Sequence, residues 1–61
     1  MVIRSFLSNN KEIKQVQLFN YKTGNLIFDG TRQELLSSRY KTKIVQALQT
    51  SFTSENAILY I

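Results

Sequence analysis

The chain has 61 residues, with eight Lys or Arg against four Asp or Glu for a formal charge of +4, and it contains no Cys, His or Pro. At this length it forms one domain, residues 1–61, that buries only about 60% of the surface its unfolded form exposes, so packing alone must hold a small core. The missing Cys and His exclude disulfide staples and thiolate or imidazole metal sites, and they remove the usual nucleophile and general base of catalysis.

Residues 2–7, Val-Ile-Arg-Ser-Phe-Leu, read as a first strand, ended by the polar cluster Ser8-Asn9-Asn10-Lys11. A β-hairpin follows, residues 13–21 with 25–29. Gly24, in Asn20-Tyr21-Lys22-Thr23-Gly24-Asn25, takes the positive-φ position of a three-residue loop. Pairing Tyr21 with Asn25 sets Phe19 opposite Ile27 and Leu18 opposite Phe28. Val16, Leu18, Leu26 and Phe28 then share one face, the expected core, while Phe19, Tyr21 and Ile27 share the other. Thr31-x-x-Glu34 ahead of Leu35-Leu36 is a capping box that starts a helix. Run unbroken to Phe52 that helix would be about 33 Å long, longer than the width of about 27 Å expected for a domain of this size. A break at Ser37-Ser38 is therefore expected, because serine competes for backbone hydrogen bonds within helices and caps new ones.

From Arg39 the apolar residues Tyr40, Ile44, Ala47, Leu48 and Phe52 recur every three or four positions, which predicts the main helix over about 39–52. A strand over residues 43–52 is also consistent, since Val45 lies off the helical face and Ile44, Leu48 and Phe52 share parity. Residues 57–61, uncharged and β-prone, form a short closing strand, which at a sheet edge would invite pairing with a second copy or another protein. The fold class is thus α+β: a small antiparallel sheet of three to four strands, with the hairpin spanning 13–29, packed on one main helix. The predicted core is Val16, Leu18, Leu26, Phe28, Leu36, Tyr40, Ile44, Leu48, Phe52 and Leu59.

No catalytic, cofactor-binding or metal-ligating residue stands out. The four acids, Glu12, Asp29, Glu34 and Glu55, are unpaired in sequence, and no glycine-rich run precedes a Lys-Ser or Lys-Thr pair. An enzyme with a small-molecule substrate is not expected. Two binding surfaces are. Phe19, Tyr21 and Ile27, on the second hairpin face, are either covered within the fold or form a protein-binding surface, since aromatics give large contact area at small entropic cost. Arg39, Lys41, Lys43 and Gln46 decorate the outer side of the predicted helix, alongside Thr42, Gln49 and Thr50. Arg and Gln there could read base edges while Lys meets phosphate, although the same residues suit a plain solvated face.

The reading that follows is a non-catalytic module acting through protein–protein interaction, as an adaptor, inhibitor or regulatory protein, or through self-association as a homodimer. The alternative is a nucleic-acid-binding domain using the basic helix face. The N-terminal residues lack the apolar run of a signal peptide, and no stretch approaches the ~20 apolar residues of a membrane span, so the expected compartment is the cytoplasm, without membrane partners.

Overall fold

The computed structural model of the chain describes residues 1–50 and 55–61. Its elements follow in order: α1 (Ile3–Asn9), β1 (Gln15–Phe19), β2 (Leu26–Thr31), α2 (Arg32–Leu36), a 3-10 turn (Arg39–Thr42), β3 (Ala47–Thr50) and β4 (Asn56–Tyr60). The fold is α+β as expected, with one four-stranded sheet in the order β2-β1-β4-β3. That sheet is mixed rather than antiparallel throughout. β1 runs antiparallel to β2 but parallel to β4, and β4 is antiparallel to β3.

Residues 2–7 do not form the expected strand. Ile3, Phe6 and Leu7 are spaced for one helical face, and all three are buried while Arg4, Ser5, Ser8 and Asn9 stay in solvent. In so short a run, helical and alternating patterns overlap. Pairing to a distant segment survives only at the start, where Val2 bridges Ile44, the Ile3 amide donates to the Lys43 carbonyl (2.9 Å), and the Val45 amide donates to the Met1 carbonyl (2.9 Å). Arg32 closes the far end of α1. Its guanidinium donates to the carbonyls of Leu7, Asn10 (3.0 Å) and Ile13 (3.3 Å), so a cation meets the negative end of the helix.

The hairpin forms with one change. Gly24 has φ 76° and its amide donates to the Asn20 carbonyl, but the loop closes between Asn20 and Asn25 (2.8 Å) rather than between Tyr21 and Asn25. The Asn20 side chain braces this longer loop by accepting from the amides of Lys22 (2.8 Å) and Thr23 (3.0 Å). Beyond it Phe19 pairs with Leu26, a bulge leaves Ile27 unmatched, and Leu18 opposite Phe28 restores the expected register as far as Gln15 opposite Thr31.

The capping box is present, with the Glu34 amide donating to Thr31 Oγ1 (3.1 Å) and the Thr31 amide to Glu34 Oε1 (2.9 Å). α2 then ends at Leu36, where the break was expected, and the Ser38 hydroxyl accepts from the Tyr40 amide (3.1 Å) to start the 3-10 turn. The main helix expected over 39–52 does not form across its described part, 39–50. Lys43 is already extended, and Ala47 to Thr50 pair with Tyr60 to Ala57 of β4, the strand alternative for this segment. Thr42, Ile44 and Val45 are β-branched, and here backbone pairing to two partners outweighs a helical stripe.

Ile3, Phe6 and Leu7 of α1 and Leu35 of α2 share one buried cluster with Ile13, Val16, Leu18, Ala57 and Leu59, which puts both helices on the same side of the sheet. Of the predicted core, Val16, Leu18 and Leu59 are buried, and Phe28, Leu36 and Tyr40 pack half-buried against them. Three residues depart from it: Leu26 is 53% exposed, Ile44 58% and Leu48 50%. Phe52 lies outside the described residues.

Candidate binding surface

Directly paired strand residues share a face, so the register arranges the side opposite the helices in rows. One row crosses all four strands: Leu26, Phe19, Tyr60 and Ala47. It is wholly apolar or aromatic. The next row, Asp29, Gln17, Ile58 and Gln49, is largely polar, and Gln17 Nε2 donates to Asp29 Oδ2 at 3.5 Å. No described element covers this face. Along β1 and β4 the residues turned to the helices are buried, whereas Phe19, Ile58 and Tyr60 are partly exposed. The Phe19 and Tyr60 rings lie 5.6 Å apart, tilted by 30°.

Phe19 therefore occupies the face expected of it, and the other two predicted protein-binding residues do not. Ile27, the unmatched residue of the bulge, packs against the core on the helix side, while Leu26 takes the outward position. A bulge puts two consecutive residues opposite one, so the alternation that assigned Leu26 inward and Ile27 outward is reversed at that point. Tyr21 is 58% exposed but sits in the hairpin loop, at the rim of the face, where its amide donates to the Ile61 carbonyl (2.8 Å). Tyr60 was missed. The alternation of Ala57 and Leu59 with Ile58 and Tyr60 would have pointed to it had the closing segment been placed centrally. It lies between β1 and β3 rather than at a sheet edge, and β2 and β3 form the edges.

Without the helix over 39–52, Arg39, Lys41, Lys43 and Gln46 share no helical face. Three of them converge elsewhere. Arg39, Lys43 and Gln46 line a groove of about 580 Å³ between the 3-10 turn and the ends of β1 and β4, and Lys41 is exposed outside its lining. Ile27, Tyr40, Ile44 and Ile61 supply its apolar surface. The Arg39 guanidinium sits 5.3 Å from the Tyr40 ring centroid and donates to its hydroxyl at 3.4 Å; that hydrogen bond, then the phenol's charge interaction, raises the Arg39 pKa above its ordinary value. Tyr40 in turn meets Phe28 edge-on at 6.1 Å. An adjoining hollow of about 410 Å³ shares Asn20, Gln46 and Ile61 with the groove and adds Tyr21 and Lys22.

Among the described residues no group of three or more acidic, His or Cys side chains is placed to hold a metal ion, and no helix is long and apolar enough to cross a membrane. Neither family models, nor curated proteins, nor solved structures give a match to this chain.

Proposed function

We propose that the chain is a non-catalytic protein-binding module that engages its partner through the open sheet face, with Phe19, Tyr60 and Leu26 as anchors and Tyr21 at the rim. The observation that carries this reading is the apolar row crossing all four strands on the side away from the helices. In a domain whose core is so small, leaving two aromatic rings partly exposed and a leucine 53% exposed on one face forgoes burial worth about 25 cal/mol per Å² of apolar surface. A partner that covers the row recovers it. The face also has the layout of an interface, with an aromatic and aliphatic centre bordered by the amides and carboxylate of Gln17, Gln49 and Asp29. No Cys or His is available for catalysis, and the four carboxylates are scattered through the chain.

Immobilised chain exposed to native lysate tests the reading. A retained protein should survive nuclease treatment, and Phe19→Ala or Leu26→Asp should lower its affinity by about ten-fold or more while each variant keeps its thermal midpoint nearly unchanged. Capture that vanishes with nuclease, or that ignores both substitutions, rejects it.

A further inference from the structure

We infer that the groove beside Tyr40 receives an acidic, aliphatic-rich segment of the partner protein, an inference that rests on the protein-binding reading above. Charge complementarity is the first ground. Arg39 and Lys43 stand on the groove wall and Lys22 on the adjoining hollow, and no Asp or Glu side chain lines either. The four acids lie elsewhere. Glu34 is held in the capping box at Thr31, Glu55 pairs with Lys14 at 3.6 Å, Asp29 accepts from Gln17, and Glu12 precedes β1. Thr31 and Glu55 both sit at the start of β1, where Thr31 pairs with Gln15 and the Glu55 carbonyl accepts from the amides of Lys14 and Gln15. The groove lies past the end of that strand. Lys14 and Arg32 offset the acids at the start of β1, whereas Arg39, Lys43 and Lys22 have no acid beside them in the lining of the groove and the hollow, which leaves a local positive field there. Such a field steers an anionic segment and orients it.

The floor decides between the anionic polymers. Single-stranded nucleic acid binds by stacking its bases on free aromatic faces. Tyr40, the ring that lines the groove, has one face under the Arg39 guanidinium and stands in a T-shaped pair with Phe28. The remaining apolar surface is Ile27, Ile44 and Ile61, branched aliphatic groups that suit side chains of their own kind. The walls are also preformed. Backbone hydrogen bonds join the Ile61 amide to the Phe19 carbonyl (2.9 Å), the Gln46 amide to Tyr60 (2.7 Å) and the Lys43 amide to Tyr40 (2.9 Å), so little ordering is needed on binding.

The test is a titration of isotope-labelled chain, read by amide chemical shifts, with three probes: a short peptide alternating glutamate and leucine, the same peptide with glutamine for glutamate, and oligothymidine. The glutamate peptide should shift the amides of Ile44, Gln46 and Ile61. Its binding should weaken about ten-fold with Arg39→Gln combined with Lys43→Gln, and weaken again as salt screens the pair. The inference is overturned if the glutamine peptide binds equally well, if the shifts fall on Phe19 and Tyr60 instead, or if oligothymidine binds the same residues more tightly. Lysate capture separates the two readings. A partner released by Leu26→Asp but indifferent to the Arg39 and Lys43 substitutions removes the groove and keeps the open face, whereas indifference to Phe19→Ala and Leu26→Asp removes the open face.

Discussion

Arg32 is one of eight basic residues, and its guanidinium is directed at backbone rather than at any partner. Its three acceptors, the carbonyls of Leu7, Asn10 and Ile13, belong to the end of α1 and the segment leading into β1, and among the described residues no other side chain bonds all three. Hydrogen bonds to a charged donor contribute about 1.5–3 kcal/mol; the Leu7 and Asn10 carbonyls would keep the backbone amides of Asn10 and Ile13 (3.2 Å each), while the Ile13 carbonyl would lose its side-chain donor. Arg32→Ala should therefore lower unfolding stability by about 2 kcal/mol or more in urea titration, while exposed Arg4→Ala stays within about 0.5 kcal/mol. Equal effects would show that the carbonyls find other donors. Nothing in the sequence marks Arg32 apart from Arg4 or Arg39, because its role depends on two segments meeting at a distance. Ile27 was illegible for a related reason. Its orientation is set by whether the loop holds three residues or four, and Asn20 and Tyr21 are each acceptable at its closing position. Phe19 was legible because its outward position survives either loop length.

At the scale of elements, the local devices were readable and the pairings were not. The capping box, the Gly24 turn and the Ser37-Ser38 break each rest on side chains acting within three or four residues, so the sequence displays cause and effect side by side. α1 and β3 were misassigned because their patterns are ambiguous by themselves and distant partners decided them. The capping box also carries a pH dependence. The Thr31 backbone N–H, and secondly its hydroxyl, hold the Glu34 carboxyl below its ordinary value of 4.5. A carboxylate with a lowered value in the folded state stabilises in full above its unfolded value and loses that contribution as pH falls through the folded one. The stability advantage of the native chain over Glu34→Gln should thus be constant above about pH 6 and shrink as pH drops below the ordinary carboxylate range. Denaturation midpoints of both proteins across that range check it, and an advantage that grows on acidification would contradict it.

For the molecule as a whole, the centre of the sheet is the parallel pair β1 and β4, where Val16 and Leu18 meet Ala57 and Leu59. Leu59 is fully buried there, and Leu59→Ala should cost about 2–5 kcal/mol, enough in a domain this small to abolish cooperative unfolding by circular dichroism. Leu48, directly opposite Leu59 on β3 but 50% exposed, should tolerate the same change within about 1 kcal/mol. Comparable damage from both would mean that the side chain of Leu48 is covered. The α+β class was legible from counting strands and turns, whereas strand order was not, since no local signal says that the first strand adjoins the last. That adjacency has a consequence for synthesis. A nascent chain emerging from the ribosome can close the β1–β2 hairpin early, yet one side of β1 stays open and Val16 and Leu18 lack their neighbours until residues 56–60 are made. Closure across that span is a late, long-range event, so until then chaperones and proteases meet a half-built core.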